Sequence, residues 1–436
     1  MEAINHGVYA ARRQRLMDHY GEGVAIIVPS SRYQMRSRDT DFPFRQDSDF
    51  FYLTGFVEPD SWLVLRPGMD DQSQILFCRP RNRATEIWDG WRLGPERVAS
   101  VLGISEAYSV DEFDQKIIEL LAGCDALVVD FSKSEVMPKV QQWQKALQRK
   151  ARQGVLAPKS IRDLTDVLHE HRLVKDAHEI AQMKRAADIS VQAHQRAMQL
   201  VKPGCFEYEL EAEFAHEFKR NGAHAPAYPS IVGSGANGVI LHYVENNAQI
   251  QDGDLVLIDA GAEFEGYAAD ITRTFPANGR FSDEQRQLYE VVLRAQLAAI
   301  DACKPGNTFA DPHDAAVFHL AEGLIQLGLL QGSVQSNIED GLFKKYYMHR
   351  TGHWLGLDVH DVGRYKTDGA WRTLEPGMVL TVEPGLYVAE DDESVDERWR
   401  GIGIRIEDDV LITADGSDNL TAALPKSVDD IEALMR

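Results

Sequence analysis

Short apolar runs alternate with polar turns along the first third of the chain. The runs VAIIVP from Val24, SWLVLRP from Ser61, SQILFCRP from Ser73 and DALVVDF from Asp125 have the length and the flanking turns of strands. The segment KVQQWQKALQRKARQG then predicts a helix with one polar face that ends at Gly154. Together these elements indicate an α/β unit.

After Gly154 the apolar positions change to long helical spacing, through VLAPKSIRDLTDVLHEHRLVKDAHEIAQMKRAADISVQAHQRAMQLVKPG. A chain of 436 residues exceeds what one hydrophobic core usually serves. We therefore predict two domains, residues 1–172 and 173–436, with the boundary near Arg172.

The second domain repeats one pattern. Each copy begins with an amphipathic helix after KPG, in KPGCFEYELEAEFAHEFKRNG and KPGNTFADPHDAAVFHLAEGLIQLG. A turn, a strand and an acid follow each helix, in DGDLVLIDAG and EPGMVLTVEPG. Asp259 follows the turn glycine Gly253 by six residues, and Glu383 follows Gly377 by the same number.

Further acids and histidines continue the match. Asp270 in AADITRTF and Glu407 in GIGIRIEDDVLIT each lie on a later strand pattern, and His242 and His360 precede the first acid of their copy. The ordered series predicts two structurally similar halves that face each other.

The composition of the chain limits the partners, the location and the kind of metal site that we expect. The formal charge of -22, from 68 acids and 46 bases, disfavours nucleic acid or an anionic membrane as partner and suits a protein that concentrates cations. The start lacks a signal-peptide core and no run of about 18 apolar residues occurs, so we expect a soluble, cytoplasmic protein. Four scattered cysteines indicate reduced thiols and no thiolate metal site.

Four carboxylates that converge in one cleft could not all stay ionised without positive charge nearby. Two divalent cations would supply that charge, and carboxylates with one imidazole favour Mn²⁺, Co²⁺, Fe²⁺ or Zn²⁺. Such a pair lowers the pKa of a shared water and polarises a carbonyl, which is hydrolysis chemistry. From MHRTGHWLGLDVHDVG we favour His353 as the imidazole ligand, with His360 as a hydrogen-bond donor or proton shuttle.

Each of these residues also has an ordinary structural explanation. Asp259 resembles a turn former, His242 a core histidine, Glu383 the end of a strand and Glu407 an edge-strand charge. Only the matched series favours a metal site. The glycine-rich IVGSGANG lacks the spacing of a nucleotide loop and is read as a loop near the cleft.

Five motifs, LVLIDAG, GYAADITRTFP, GHWLGLDVHDVG, PGMVLTVEPGLY and GIGIRIEDDVLIT, resemble in this order those of the pita-bread metallopeptidases, and in particular the bacterial aminopeptidase P (Xaa-Pro aminopeptidase) family. FPFRQDSDFFYLTGF and TEIWDGWRLG are similar to that family's N-terminal domain. The resemblance implies an α/β N-terminal domain and an α+β pita-bread catalytic domain, in which two pseudo-symmetric halves share a curved antiparallel sheet covered by helices.

The resemblance also implies roles for single residues. The dinuclear metal ligands, usually for manganese, would be Asp259, Asp270, His353, Glu383 and Glu407. Asp270 and Glu407 would bridge both ions, Asp259 would bind one, and His353 and Glu383 the other. Glu383 would also take the proton from the bridging water.

Other positions match the family's substrate contacts. His360 would stabilise the scissile carbonyl or tetrahedral intermediate, and His242 would line the proline side. The remaining matches are His349, Tyr387 and Arg405, together with Trp88, which in family tetramers reaches a neighbouring subunit's cleft. We therefore expect a homo-oligomer, a tetramer or a dimer. Arg350 departs from the family, where a smaller or uncharged residue often stands.

The implied reaction removes the N-terminal residue from peptides with proline in second position, by attack of a metal-bridging water or hydroxide. Proline lacks an N–H and has a fixed backbone angle, so a dedicated pocket is required. The alternative is a prolidase restricted to Xaa-Pro dipeptides. A methionine aminopeptidase would not need the first domain, and a non-catalytic relative would lack ligands that are all present here.

Overall fold

The computed structural model describes residues 6–69 and 72–436 and divides into two compact units, one up to His171 and one from Arg172. The first five residues of the start, on which the signal-peptide argument partly rests, lie outside this range. Within the described range, no helix combines the length and the apolarity that crossing a bilayer requires.

The first unit is built on a mixed six-stranded sheet. Its strands are β1 (Val24–Pro29), β4 (Trp62–Leu65), β5 (Gln74–Cys78), β6 (Glu106–Ser109), β7 (Ala126–Val129) and β8 (Ser160–Asp163), beside a hairpin of β2 (Met35–Ser37) and β3 (Thr40–Asp41). The sheet order is β6-β5-β4-β1-β7-β8, with β1–β7, β7–β8 and β5–β6 parallel. Every residue of β1 and β7 is buried, which explains their unbroken apolar runs.

The helices that begin in the first unit are α1 (His6–Tyr20), α2 (Ser48–Thr54), α3 (Arg83–Asp89), α4 (Pro95–Leu102), α5 (Phe113–Leu120), α6 (Val136–Arg149) and α7 (Thr165–Leu173), and the last two residues of α7 belong to the second unit. The four predicted strands are present, and the α/β prediction is confirmed. The predicted end of a helix at Gly154 is wrong, because α6 ends at Arg149 and a 3₁₀ turn, Ala151–Gln153, follows.

The helical prediction after Gly154 also missed a strand. β8 alternates between exposed and half-buried positions and pairs with β7 from Ser160 opposite Ala126 to Asp163 opposite Val129. The open edge of β7 supplies backbone partners that helical spacing in the sequence does not reveal.

The second unit consists of small antiparallel sheets and long helices. Its strands are β9 (Ala225–Pro226), β10 (Ile231–Ser234), β11 (Leu255–Asp259), β12 (Ala262–Phe264), β13 (Tyr267–Ala268), β14 (Thr272–Pro276), β15 (Lys366–Thr367), β16 (Ala370–Trp371), β17 (Val379–Val382), β18 (Gly385–Tyr387), β19 (Gly403–Arg405), β20 (Asp408–Ile412) and β21 (Ser417–Asn419). Its helices are α8 (Ala177–Leu200), α9 (Glu207–Arg220), α10 (Asp283–Ala302), α11 (Asp311–Gln326), α12 (Val334–Glu339) and α13 (Val428–Leu434). Further 3₁₀ turns are Val110–Glu112 in the first unit and Gly235–Val239, Leu342–Lys345 and Glu397–Trp399 in the second.

The two predicted halves are visible in the sheets. One half contains the sheet β10-β11-β14 and the other contains β17-β20-β21, and both are antiparallel. In each half the first acid ends or follows a strand, Asp259 on β11 and Glu383 after β17. The second acid, Asp270 or Glu407, precedes the strand that pairs with it. Antiparallel pairing therefore returns both acids of a half to the same end of its sheet.

A buried arginine joins the halves behind the acids. Arg273 on β14 is 0% exposed, and its Nη1 donates to the Glu407 carbonyl at 2.6 Å. Its Nη2 lies 2.7 Å from the Asp408 carboxylate, and the charge of Arg273 helps to hold the pKa of that carboxyl well below its usual range despite burial. Because Asp408 directly follows Glu407, this ion pair fixes the backbone that carries a predicted ligand.

The structure corrects two smaller predictions. IVGSGANG is not simply a loop, because its first four residues form β10 and the next residues form a 3₁₀ turn. GIGIRIEDDVLIT is not one strand, because it breaks between Arg405 and Asp408 to form β19 and β20. The cysteines Cys78, Cys124, Cys205 and Cys303 are all unpaired, as the reduced-thiol prediction requires.

Candidate active site

The first pair of acids meets on a tyrosine. The Tyr228 hydroxyl lies 2.6 Å from Asp259 Oδ1 and 2.6 Å from Asp270 Oδ1. One hydroxyl proton shared between two carboxylates requires their oxygens to be close together. The strand pairing of β11 and β14 thus brings both predicted ligands to one point.

His353 joins the acids of the two halves. Its Nε2 lies 3.4 Å from Asp270 Oδ2 and 3.8 Å from Glu383 Oε1. Its Nδ1 donates to the Trp354 carbonyl at 3.0 Å, which leaves Nε2 to face the acids. Asp270, His353 and Glu407 each offer a donor atom, and these atoms lie within 4.8 Å of one another.

Glu407 enters the cluster across the boundary between the halves. The Thr272 hydroxyl donates to Glu407 Oε2 at 2.6 Å, and the Glu407 backbone N–H donates to the Thr272 carbonyl at 3.1 Å. The acid is 2% exposed. All five residues predicted as metal ligands are therefore gathered around one place.

The cluster contains more acidic than basic side chains, and this shifts the pKa values of its members. Burial, together with the charges of Asp270 and Glu383, raises the pKa of Glu407 well above its usual range, and burial raises the pKa of Glu383 to about 7. Burial would lower the pKa of His353, but its hydrogen bond to Asp270 and the charges of Asp270 and Glu383 raise it to about 9. The cluster holds more negative charge than its own side chains can neutralise.

This donor set fits divalent cations. Its oxygens and one imidazole nitrogen suit hard or borderline ions, and none of the free cysteines takes part. Cations would offset the burial and the mutual repulsion that raise the carboxyl pKa values. The arrangement can therefore bind metal and can support hydrolysis of an amide.

A chain of hydrogen bonds borders the cluster. Arg405 Nη2 lies 2.7 Å from Asp259 Oδ2, and its Nη1 donates to the Tyr387 hydroxyl at 3.0 Å. That hydroxyl lies 2.9 Å from His349 Nε2, while His349 Nδ1 donates to the Arg350 carbonyl at 2.8 Å. Burial lowers the pKa of His349 to about 4, so the neutral ring accepts the hydrogen bond from Tyr387.

The two histidines expected beside the substrate lie on separate loops of the same cavity. His360 packs against His353 with ring centroids 4.1 Å apart and an angle of 63° between the planes. His242 follows β10 and its 3₁₀ turn and is exposed. Both line the cavity that contains the acids.

A buried carboxylate holds the His242 loop. Glu207 is 0% exposed at the start of α9, and its oxygens accept five hydrogen bonds. The donors are Ser234 N and Oγ, Asn237 Nδ2, Tyr243 Oη and Ala248 N, at 2.7, 2.8, 3.1, 2.9 and 2.9 Å. They span both sides of His242, so one side chain fixes the ends of this loop.

A second buried carboxylate, Asp361, holds the His360 loop. It lies 2.6 Å from Arg172 Nη2 and 2.9 Å from Lys175 Nζ, while its backbone N–H donates to the Trp354 carbonyl at 2.8 Å. Burial would raise the pKa of Asp361, but the charges of Lys175 and Arg172 hold it below its usual range. The loop is thereby closed at its base, next to His360.

The cavity has a volume of about 950 Å³ and an acidic floor. Its lining includes every site residue predicted from sequence on the second unit except Tyr387, together with an aromatic wall of Phe309, Tyr365 and Trp371. Trp88 lies in the first unit, on α3, and is 84% exposed.

Two glycines permit the close packing of the cluster. A Cβ on Gly261, between Asp259 and Asp270, would lie 1.7 Å from the Ala269 carbonyl oxygen. A Cβ on Gly352, before His353, would lie 2.0 Å from the Thr381 carbonyl oxygen. Side chains at either position would push a predicted ligand out of place.

Sequence reasoning missed Tyr228, Thr272 and the aromatic wall. Tyr228 stands in APAYPS, a loop pattern that gives no sign of contact with acids 31 and 42 residues away. Thr272 could have been suspected, because it follows Asp270 by two residues and faces the same side of its strand.

Comparisons with known proteins agree with this geometry. A model of metallopeptidase family M24 matches residues 181–414, and a model of the aminopeptidase P N-terminal domain matches residues 9–129. The Xaa-Pro aminopeptidase of Escherichia coli is 45% identical over 439 aligned residues, covering 100% of this chain and 99% of that protein.

Solved structures extend the likeness. Pseudomonas aeruginosa aminopeptidase PepP superposes with a TM-score of 0.98 at 47% identity, covering 100% of this chain and 99% of that one. Zinc-substituted Escherichia coli aminopeptidase P with bound product gives a TM-score of 0.96 at 45% identity over the same shares. The predicted α/β and pita-bread fold classes are confirmed. With both family models matched in order and relatives aligned from end to end, the chain belongs to metallopeptidase family M24, in its aminopeptidase P branch.

Proposed function

We propose that this chain is an Xaa-Pro aminopeptidase, a metal-dependent exopeptidase that removes the N-terminal residue from peptides with proline in second position. The observation that carries the proposal is the convergence of acids from both halves and His353 on the floor of one cavity. Relatives that align over nearly the whole chain are named for the same activity.

The proposed ligands of two divalent cations are Asp259, Asp270, His353, Glu383 and Glu407. Asp270, Glu407 and His353 would hold the cations at the centre of this group, since their donor atoms lie within 4.8 Å of one another. When bound, the cations polarise the scissile carbonyl and lower the pKa of a water molecule.

The remaining chemistry belongs to the side chains. Glu383 is proposed to accept the proton of the attacking water, since its carboxylate lies beside His353 at the cavity floor. His360 is proposed to donate to the oxygen of the scissile carbonyl as negative charge develops there. His242 lies against the proline ring, and His349, Tyr387 and Arg405 hold the acid cluster in position through their hydrogen bonds.

A peptide panel tests the function. After reconstitution with Mn²⁺, the protein is expected to release the first residue from Xaa-Pro-Xaa peptides and to leave matched Xaa-Ala-Xaa peptides intact. Cleavage of Xaa-Pro dipeptides alone would favour the prolidase, and no cleavage of either proline peptide would reject the proposal.

Manganese is the proposed metal, supported by a donor set rich in oxygen. Metal analysis of protein purified without added metal, followed by activity with Mn²⁺, Co²⁺, Fe²⁺ and Zn²⁺, tests this choice. A higher activity with another ion at equal occupancy would argue against manganese.

We further propose that the protein forms a tetramer or a dimer and that it is cytoplasmic. We also propose that its domains are residues 1–172 and 173–436. Exposed Ile87, Trp88 and Trp91, at 71%, 84% and 79%, support association through α3 and the residues after it. Unpaired cysteines agree with a reducing compartment. Light scattering of the purified chain and of Trp88→Ala tests the association.

A further inference from the structure

Arg350 lines the same cavity as the acidic cluster and is itself exposed. Its guanidinium carbon lies 4.6 Å from the ring centroid of Trp371, which also lines the cavity. Arg350 precedes His353 by three residues, so their Cα atoms are at most about 11 Å apart. The cation is therefore within the length of a short peptide from the site of cleavage.

Trp371 is a fixed platform for this cation. It pairs with Lys366 across the β15–β16 hairpin, and Lys366 Nζ lies 4.2 Å from the ring centroid. The ring also packs against Phe309, at 6.3 Å between centroids, and Phe309 is only 6% exposed. Attraction between the guanidinium and the ring face limits the directions that Arg350 can take.

Arg350 forms no ion pair with an acid of the described residues, although its charge reaches nearby Asp314 and lowers the pKa of that carboxyl against the effect of burial. Among residues 6–69 and 72–436, no carboxylate lies within the 4.0 Å ion-pair distance of Arg350. Arg405, which also lines the cavity, is paired with Asp259 at 2.7 Å. The cavity lining thus combines buried acids with an exposed cation that has no ion-pair partner among the described residues, in a chain of net charge -22.

A tripeptide matches this separation of charge. Its free amine belongs near the carboxylates, and its third residue carries a carboxylate about 7 Å beyond the scissile bond in an extended chain. A planar guanidinium can bind a carboxylate through two parallel hydrogen bonds. We infer that Arg350, oriented by Trp371, binds the C-terminal carboxylate of short substrates and favours Xaa-Pro-Xaa tripeptides; this rests on the proposed function.

The test compares an Xaa-Pro-Xaa tripeptide with its C-terminal amide, using the manganese-reconstituted full chain. The unmodified protein is expected to prefer the free acid in kcat/KM by about fivefold, mainly through KM, and to lose this preference at high salt. Arg350→Gln should bring the acid-to-amide ratio close to one, and Arg350→Lys should restore part of it because the charge is kept.

Trp371→Leu provides a second variant, since it keeps the charge but removes the platform, and it should also lower the ratio. Arg294→Ala on α10 is the control, because Arg294 is an exposed arginine outside the cavity lining. A pentapeptide and its amide should be cleaved with similar kcat/KM, since their terminus lies beyond Arg350.

An unchanged ratio in Arg350→Gln overturns the inference while the proposed function stands. An equal dependence on Arg350 for the pentapeptide also overturns it, because a general charge effect would then explain the preference. If the unmodified protein cleaves no Xaa-Pro peptide, the proposed function fails and the inference fails with it.

Discussion

The Tyr243 hydroxyl donates a hydrogen bond of 2.9 Å to the buried Glu207 carboxylate, next to the exposed His242. This bond is one of five that Glu207 accepts, and it couples the start of a helix to a loop of the cavity. The position of His242 thus depends on an acid that does not line the cavity.

Glu207→Gln is expected to lower kcat/KM by about tenfold and to cost about 1–3 kcal/mol of unfolding free energy. A glutamine has one acceptor oxygen, so its NH₂ group must face donors that the carboxylate satisfied. Steady-state kinetics and hydrogen exchange of residues 234–248 measure both effects.

Glu211→Gln is the matched control for that variant. Glu211 lies one turn further along α9, is partly exposed and accepts one bond, from Asn246 Nδ2 at 3.0 Å. Its replacement should change either quantity much less. Equal effects of the two variants would contradict a special role for Glu207.

Asp361→Asn is expected to lower the unfolding free energy by about 3–5 kcal/mol at pH 7, because it leaves Lys175 and Arg172 without their buried acid. The folded pKa of Asp361 is depressed, so its stabilisation is complete above the unfolded value of about 3.9 and is lost as the pH falls through the folded value. Urea denaturation from pH 7 to pH 3.5 should show the gap between variant and unmodified protein narrowing below pH 4.

Asp358→Asn is the control, because Asp358 pairs with Arg172 at 2.8 Å but its side chain is 37% exposed. Its cost should stay below about 1 kcal/mol. A gap for Asp361→Asn that widens towards low pH would have the wrong sign.

Glu383→Ala is expected to abolish turnover and to weaken metal binding, because the residue is both a proposed ligand and the proposed proton acceptor. His360→Ala should reduce turnover with the metal content retained. Metal analysis beside kinetics separates the two. Full activity of Glu383→Ala, or metal loss in His360→Ala, would contradict these roles.

Removal of the metal and replacement of Glu407 should change the stability of the protein in opposite directions. Chelation of the unmodified chain is expected to lower its Tm, since a cation at one hundred times its Kd contributes about 2.7 kcal/mol. Glu407→Gln should raise the Tm of the metal-free protein, because one of the mutually repelling buried acids is gone, and should reduce the rise on adding Mn²⁺. Differential scanning calorimetry with and without Mn²⁺ checks this, and an unchanged Mn²⁺ response would argue against Glu407 as a ligand.

The predictions from sequence were most accurate where a repeated spacing or an unbroken apolar run reported directly on strand pairing or burial. The repeated spacing from Gly253 to Asp259 and from Gly377 to Glu383 led to acids that do converge, because antiparallel pairing returns a chain to its starting edge. Unbroken apolar runs likewise predicted the buried strands β1 and β7.

Prediction failed where a partner distant in the chain decided the structure. Ser160–Asp163 became a strand because β7 offered an open edge, and Tyr228 entered the site through a loop without any periodic signal. The anchoring acids Glu207 and Asp361 were equally invisible, since their donors come from separate segments. Contacts between residues that are far apart in the sequence leave no periodic pattern of residue types around either partner.

The contact between Gly261 and the Ala269 carbonyl has a consequence for changing this enzyme in the laboratory. The two strands of the loop between Asp259 and Asp270 approach each other so closely at Gly261 and Ala269 that no room remains for even a methyl group. Exchange of the exposed tip residue Glu265, whose φ of 49° favours glycine, asparagine or aspartate as a replacement, should leave the two acids together. A library that randomises position 261, by contrast, should yield glycine almost alone.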